Sequence, residues 1–378
     1  MKIGVIVHGP GIIDTGYAEK IIKILKEYGP VECRLGGTMG RTAVMDAHLE
    51  ELINIEDKLL PSQSIKILSK NNDVLFLLNY GKSVITGHTF GYKVLNNAGK
   101  NINLIQIERP GERDGVIIPW NDYDNTYIIN ELSKRLSLKV ATPEDAADMV
   151  KNLTGFDSED NIIERKVAGV SLGENIMMNG IIIGKVTQDA LTVIAEDGRI
   201  TELKGGKIKE HGLEKLGKVD LSTAIIKTGL LRTSDKIKPR SIEHVPNKKL
   251  RAVYLNHAAE DIYKYQDADI LVSIGDDTTL LSSDILYRFN IPVIGITDGD
   301  LDKVVLKGFK LETSLIIQVK SGYDDIIGKH IHEKIFDNKE YKEIASIDSF
   351  KQEILDAITE YGIEYVIVDK QLTKQTLN

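Results

Sequence analysis

Residues 268–305 read ADILVSIGDDTTLLSSDILYRFNIPVIGITDGDLDKVV, and this stretch decides the fold class of the chain. Its apolar run at 269–274 is short and continuous, as in a strand that is covered on both faces. A polar loop follows, then a segment of helical length, and then a second apolar run at 292–296. Strand, helix and strand in succession predict a βαβ unit in a mostly parallel sheet.

Carboxylates stand at the ends of both predicted strands. Asp276 follows the first strand, and Asp298 and Asp300 follow the second. Carboxylate oxygens are the ligands that Mg²⁺ prefers, and alternate residues of an extended segment lie on one face about 7 Å apart. We therefore expect Asp276, Asp298 and Asp300 to bind a divalent metal, with Mg²⁺ as the expected cofactor. The alternative is an exposed acidic turn.

The loop after the first strand has the composition of a phosphate site. Gly275 allows the backbone to approach a ligand closely, and Thr278 and Thr279 supply hydroxyls at the start of the predicted helix. Phosphates bind at helix N-termini through backbone N–H groups that have no partner inside the helix. We therefore expect Gly275, Thr278 and Thr279 to bind a nucleotide or another phosphorylated small molecule.

The runs IGDDTTL at 274–280 and PVIGI at 292–296 resemble the Gly-Gly-Asp-Gly-Thr and Pro-Val-x-Gly-Ile motif pair of NAD kinases and diacylglycerol-kinase-like enzymes. The resemblance implies that the loop holds nucleotide phosphates and that Asp276 assists attack by a hydroxyl, as the catalytic residue. Ile274 and Asp277 replace glycines of that motif. The extra carboxylate would repel a phosphate unless a cation lies between them.

The pattern Asp298-x-Asp300-x-Asp302 also resembles the Asp-x-Asp motif of Toprim domains, which bind Mg²⁺ for nucleotidyl chemistry. Toprim domains have a glutamate on an earlier strand, whereas Ser273 and Asp276 occupy the comparable position here. A Toprim-like metal-dependent nucleic-acid enzyme is therefore a second alternative, with residues 236–251 as its basic surface. The net charge of −8 makes nucleic acid an unexpected partner.

The first third of the chain repeats the strand–helix pattern, with a glycine-rich polar loop after each predicted strand. The loops read HGPG at 8–11, GGTMGR at 36–41, NYGKS at 79–83 and ERPGER at 108–113. In an open parallel sheet such loops share the carboxyl edge, where ligands bind. The alternative is a set of ordinary tight turns with solvated charges. The residues expected to bind a cofactor or anion here are Gly9, Gly11, Gly37, Arg41, Lys82 and Arg109.

Two single residues give further constraints. His8 follows the first predicted strand and is a candidate acid or base, or else a hydrogen-bonded turn histidine. Cys33, the chain's one cysteine, lies in an apolar strand and is expected in the core. A single cysteine excludes an internal disulfide and fits a cytoplasmic location.

The middle of the chain changes character. Asn179-Gly180 and Asp197-Gly198 separate apolar runs and predict two β-hairpins. The expected fold class is therefore α/β, with two Rossmann-like parallel-sheet domains, 1–157 and 241–378, and a small antiparallel β domain, 158–240, between them.

Composition excludes some classes of protein. With 42% hydrophobic and 28% charged residues over 378 positions, the chain is globular. We expect no membrane span, because no apolar run approaches the roughly 18–20 residues that a span needs. A homo-oligomer is left open, and so is catalysis. The leading hypothesis is a protein that binds a phosphorylated ligand with a metal, with phosphoryl transfer as an extension. The first alternative is a non-catalytic binding or assembly protein.

The runs HGPGIID at 8–14, GGTMGRTA at 36–43 and IERPG at 107–111 resemble an uncharacterised conserved archaeal family that occurs mainly in methanogens. The resemblance implies a cytoplasmic archaeal protein and supplies no activity.

Overall fold

The computed structural model describes most of the chain in two compact units, Met1–Ile237 and Lys238–Asn378. The described residues are 1–37, 40–57, 59–99, 102–121, 126–153, 156–159, 162–167, 170–179, 181–224, 226–229, 232, 237–256, 259–299 and 309–368. The division into three domains, 1–157, 158–240 and 241–378, stays a prediction.

The first unit contains a six-stranded sheet with helices on both faces. Its strands are β1 (Ile3–His8), β2 (Val31–Gly36), β3 (Val74–Asn79), β4 (Leu104–Glu108), β5 (Val116–Pro119) and β6 (Lys139–Val140). Their order is β2-β1-β3-β4-β5-β6, with β1 to β4 parallel and β5 antiparallel to β4. The helices are α1 (Gly11–Asp14), α2 (Tyr17–Lys26), α3 (Arg41–Asp46), α4 (Pro61–Leu68), α5 (Val84–Ala98), α6 (Thr126–Leu136) and α7 (Pro143–Leu153).

The strand order reverses at β1, and in doubly wound sheets a crevice is expected at such a reversal. Val5 of β1 shares a core with Ile21 of α2, whereas Ile6 shares the opposite core with Ile65 of α4 and Val94 of α5. The chain therefore leaves β1 toward one face and β3 toward the other. Ligands of doubly wound sheets bind at such a switch point.

The rest of the first unit is the predicted antiparallel region. Its strands are β7 (Phe156–Glu159), β8 (Ile162–Val167), β9 (Asn175–Met178), β10 (Ile181–Val186), β11 (Leu191–Glu196), β12 (Arg199–Lys204), β13 (Gly206–Ile208) and β14 (Ile226–Thr228), with α8 (Glu210–Leu216) after β13. They form two four-stranded sheets, β12-β11-β8-β7 and β13-β10-β9-β14, that share one hydrophobic core.

Both predicted hairpins are confirmed. β9 pairs with β10 across residues 179–180, and β11 pairs with β12 across 197–198. Asp197 and Gly198 have φ values of 50° and 78°, the positive φ at both central positions that a type I′ turn requires.

The second unit is another six-stranded sheet. Its strands are β15 (Leu250–Asn256), β16 (Ile270–Ile274), β17 (Val293–Thr297), β18 (Leu315–Val319), β19 (Tyr341–Ile344) and β20 (Tyr365–Ile367), and its helices are α9 (Asp276–Leu286), α10 (Asp324–Lys334) and α11 (Ile347–Tyr361). The order is β19-β15-β16-β17-β18-β20, with four parallel central strands and an antiparallel strand at each edge.

The helices of this unit also lie on opposite faces. Thr279 of α9 contacts the face that carries Ser273, whereas Gly328 of α10 lies against Ile274 on the other face. The helices that follow β16 and β18 therefore pack on opposite faces of the sheet, and the end of β17 lies between the loops that lead to them. The α/β fold class, with two parallel-sheet regions and antiparallel sheets between, is thus confirmed.

Two elements differ from what the apolar pattern indicates. Apolar residues continue at helical spacing as far as Leu52, but α3 ends at Asp46. The strand β19 was not predicted, because a short edge strand with exposed alternate residues has a weak apolar pattern. Cys33 is buried, as expected, and burial raises the pKa of its thiol.

Candidate functional site

The loop after β16 places a helix N-terminus at the carboxyl edge of the six-stranded sheet of the second unit. Gly275 has a φ of 90°, and its N–H donates to the carbonyl of Ile296 on β17 at 2.8 Å. Its carbonyl accepts from the N–H of Thr279 at 3.0 Å, so α9 begins directly after the strand. The positive φ is the reason for a glycine here, because L side chains rarely adopt it.

Asp276, the first residue of α9, makes carboxyl-to-carboxyl contact with Asp298 at the end of β17. Only 6% of Asp276 is exposed. Burial raises its pKa to about 8, and the hydrogen bond and charge of Asp298 and the charges of Asp277 and Asp324 act in the same direction. Two carboxyl groups this close share a proton, or share a cation that replaces it.

A third loop joins the same edge. The N–H of Gly322, which follows β18, donates to Oδ2 of Asp298 at 2.9 Å. A Cβ added at Gly275 would lie 3.8 Å from Oδ2 of Asp324, the first residue of α10. The ends of β16, β17 and β18 therefore bring three aspartates and the N-termini of two eleven-residue helices together.

The two predicted threonines differ in role. The hydroxyl of Thr279 is fully buried and lies 2.9 Å from the hydroxyl of Ser273. A Cβ at Gly295 would overlap the methyl group of Thr279, so this glycine lets α9 pack closely on β17. Thr279 thus holds the helix to the sheet, whereas Thr278 is 6% exposed and lies one residue nearer the edge.

The predicted metal ligands are described in part. Asp276 and Asp298 are in contact, whereas Asp300 lies outside the described residues. Within the described part of the chain, no group of three or more His, Cys, Asp or Glu side chains is arranged to hold a metal. A metal at this edge would therefore need ligands from Asp300, water or a bound phosphate.

The cations predicted at the first sheet are each engaged by the chain. Lys82 lies 2.5 Å from Glu174 and 3.0 Å from the hydroxyl of Thr228. Arg41 donates to the carbonyl of Glu56 at 3.4 Å.

Arg109 also contacts two groups of its own chain. It donates to the carbonyl of Gly81 at 2.6 Å and forms an ion pair with Asp114 at 3.0 Å. The three predicted cations thus share no acceptor among these contacts, and their convergence on an anion stays a prediction.

The predicted glycines of this sheet are partly explained by backbone geometry. Gly9 and Gly37 have φ values of 75° and 88°, and no atom lies within 4 Å of an added Cβ at either position. Gly11 differs, because a Cβ there would lie 3.3 Å from Tyr80. Open space therefore borders two of these three positions.

A buried polar network near these loops was not predicted. Glu108 is fully buried and accepts from the N–H of Gly81 at 2.6 Å and from Asn79 and Gln106 at 2.7 Å each. Gln106 in turn accepts from the indole of Trp120 at 2.9 Å. The alternation of Gln106 and Glu108 within the apolar strand β4 was the signal for it.

A buried ion cluster was missed as well. Arg232, whose side chain is 8% exposed, contacts the carboxylates of Asp14 and Asp46. These residues lie 218 and 186 positions from Arg232, so nothing in the sequence pattern pointed to the cluster.

The basic stretch at 236–251 also has partners. Lys249 lies 2.8 Å from Glu343, and Arg251 lies 2.5 Å from Asp267.

Fold and site together define an α/β protein with a Rossmann-like sheet in each unit and an acidic carboxyl edge in the second. The profile of a family described as an uncharacterized protein conserved in archaea (DUF2117) matches residues 5–339. The chain belongs to this archaeal family.

Among its relatives is an uncharacterized protein of Methanocaldococcus jannaschii, 45% identical over 362 residues, or 93% of this chain and 96% of the relative. No solved structure matches the chain. In the described residues, no helix combines the length and the apolar character that crossing a membrane requires.

Proposed function

We infer that the protein binds a nucleotide or another phosphorylated small molecule together with Mg²⁺ at the carboxyl edge of its second sheet. The observation that carries this proposal is the contact between the buried carboxyl of Asp276 and that of Asp298. Burying two carboxylates against each other is unfavourable, and a divalent cation between them removes the repulsion.

The small number of carboxylates at the site suits Mg²⁺, which does not need all of its ligands from the protein. Mg²⁺ is usually bound through one or two carboxylates plus waters and phosphate oxygens. Asp276 and Asp298 supply two carboxylates, and Asp300 is the proposed third ligand. The N-termini of α9 and α10 favour the negative charge of the phosphate.

In the proposed site, Gly275 binds the phosphate through its backbone and Thr278 binds it through its hydroxyl. Thr279 fixes that loop to the sheet, because its hydroxyl is hydrogen-bonded to the hydroxyl of Ser273. If the bound phosphoryl group is transferred, these residues act by positioning it and by neutralising its charge, and Asp276 assists the attacking hydroxyl. The proposed location is the cytoplasm.

The test is a thermal-shift panel with ATP, GTP, NAD, NADP and simple phosphate esters, each with and without Mg²⁺. A ligand at about 100 times its dissociation constant adds roughly 2.7 kcal/mol, or several degrees. The Asp276→Asn variant should lose the part of the shift that depends on Mg²⁺. Asp348→Asn, which changes an exposed aspartate in the first turn of α11, should keep it.

A panel without any Mg²⁺-dependent shift removes the proposal. The non-catalytic binding or assembly protein then becomes the leading hypothesis. Ligand binding without turnover in a phosphate-release assay would keep the binding site and remove the transfer step.

A further inference from the structure

A chain of hydrogen bonds runs from the interior of the first unit to the switch point of its sheet. Glu108 accepts from the side-chain amide of Asn79 at 2.7 Å and from the N–H of Gly81 at 2.6 Å. Both donors are N–H groups, and a carboxylate can only accept. In the structure the amide nitrogen of Asn79 faces Glu108, and its carbonyl oxygen faces His8.

The orientation of Asn79 in turn determines the tautomer of His8. The Oδ1 atom of Asn79 lies 2.8 Å from Nδ1 of His8, and it can only accept. The imidazole proton is therefore on Nδ1, and Nε2 carries a lone pair. Among the described residues, His8 has no hydrogen bond at Nε2.

The surroundings keep this ring neutral and fixed. The pKa of His8 is lowered to about 4, chiefly by burial and also by the charge of Lys227, against the opposing effect of its hydrogen bond to Asn79. The ring stacks on Phe90 with centroids 3.8 Å apart. A neutral imidazole held in one tautomer by a second side chain is the arrangement of an acceptor or a base.

His8 lies at the edge of the sheet where a ligand of this fold would bind. His8 and Asn79 are the last residues of β1 and β3 and are register partners, so they lie where the order of the sheet reverses. As a whole residue His8 is partly exposed, and no atom lies within 4 Å of a Cβ added at the neighbouring Gly9. Strand β14 of the antiparallel region lies close by, since Thr228 contacts Lys82.

We propose that this edge of the sheet is a second ligand site, which takes a small hydroxyl-bearing anion and in which Nε2 of His8 accepts a hydrogen bond from the hydroxyl group. The hydroxyl matches the acceptor, and the positive charge of Lys227, which acts on His8, favours a negative charge on the ligand. Asn79 is a positioning residue, since it acts through His8. The site needs no metal, and it does not depend on the phosphate site proposed for the second unit.

The experiment measures the reaction of His8 with diethyl pyrocarbonate, which attacks the free nitrogen of a neutral imidazole. Modified peptides are quantified by mass spectrometry, in the presence of EDTA. His211, which is exposed, gives the reference rate, and His88, which is 4% exposed, should stay unmodified. His8 should react, and His8→Gln should remove that peptide signal alone.

Ligand specificity is tested with pairs of probes that share an anionic group and differ in hydroxyl groups. The pairs are glycerol 3-phosphate with n-propyl phosphate, and lactate with propionate. A bound probe at about ten times its dissociation constant slows the reaction about tenfold. A hydroxylated probe should protect His8 and leave His211 unaffected, whereas its partner should not protect.

Three results would overturn the proposal: a His8 that does not react, a reactive His8 that neither hydroxylated probe protects, and equal protection by both members of a pair. The tautomer has its own readout in the ¹⁵N shifts of histidine-labelled protein. These should show Nδ1–H for His8 in the wild type and a mixture of tautomers in Asn79→Ala. A wild type with Nε2–H would equally contradict the proposal. All of these measurements exclude Mg²⁺, so their outcome is separate from that of the phosphate panel.

Discussion

Glu108 and Asp276 are both buried carboxyl groups at a sheet's carboxyl edge, yet their surroundings are opposite. Glu108 accepts hydrogen bonds from three N–H groups. Asp276 lies against the carboxyl of Asp298 and near the charge of Asp324. Burial raises the pKa of both, but the donors around Glu108 oppose that rise, whereas the neighbours of Asp276 add to it. The chain itself supplies the hydrogen-bond donors of Glu108, whereas it places Asp276 against another acidic group.

The largest effect is expected for Glu108→Ala. The change leaves two buried N–H groups and one part-buried N–H group without an acceptor, which costs about 3 kcal/mol or more. Trp120, the one tryptophan of the chain, is bonded to Gln106 in the same network, so its fluorescence reports denaturant unfolding of the first unit. Glu51→Ala, at an exposed position, should change stability by less than about 0.5 kcal/mol. Equal stabilities of the two variants would refute the structural role of Glu108.

Arg232→Ala should give the next largest loss, about 2 kcal/mol in the same fluorescence experiment. The change leaves the carboxylates of Asp14 and Asp46 without the guanidinium that neutralises them. Asp14 and Asp46 would then lack a neutralising cation, and the variant therefore tests in the first unit what Asp276 and Asp298 show in the second. Asp14 is part-exposed, which keeps the cost below that of a fully buried pair. Arg232→Lys keeps the charge and should recover part of the stability.

Asp276→Asn should have the opposite sign and stabilise the second unit by about 1–2 kcal/mol without Mg²⁺. The amide removes one of two carboxyl groups that repel each other when ionised. Hydrogen exchange of α9 at neutral pH measures the effect, with Asp348→Asn as the neutral control. Faster exchange in Asp276→Asn than in the wild type would show that the acidic pair is not a source of instability.

The smallest effect is an acid dependence from His8. Its pKa is about 4 in the folded protein and about 6.5 when unfolded, so the unfolded state binds the proton more readily. The contribution is fully present above pH 6.5 and is lost as the pH falls toward 4. Because His8 is partly exposed as a residue and solvent screens its charge, we expect a loss of about 1 kcal/mol. Lys227, Asn79 and Phe90 surround the ring.

His8→Gln is the test of that assignment. The difference in stability between the variant and the wild type, followed by Trp120 fluorescence, should change between pH 6.5 and 4 and stay constant above that window. A difference that does not vary with pH would remove His8 as the titrating group.

Parts of the fold were predictable because their signals are local. The turn chemistry of Asn179-Gly180 and Asp197-Gly198 determines a hairpin within a few residues, and the structure has both hairpins. The apolar runs at 269–274 and 292–296 became β16 and β17. The end of α3 at Asp46 is hidden in the sequence, because Leu49 and Ile53 are buried in turns after the helix and continue its apolar pattern.

The candidate site was predictable only as a set of residue types. Asp276 and Asp298 were identified from the loops after two apolar strands, whereas Asp324 was not, since an acidic first turn is common in exposed helices. The convergence of Lys82 and Arg109 on an anion stays a prediction, and in the structure they form ion pairs with Glu174 and Asp114. Glu174 lies 92 residues from Lys82, and such a distant partner leaves no trace in a local pattern.

The sequence by itself determined the alternation of strands and helices, the antiparallel region between two α/β regions, and the presence of acidic and glycine-rich loops at strand ends. These follow from hydrophobic period and turn chemistry, which act over a few residues. Only the tertiary structure decided which strand ends meet. His8 is hydrogen-bonded to Asn79, and the carboxyl of Asp276 contacts that of Asp298. Both contacts form because the crossover connections determine which strands are neighbours in the sheet.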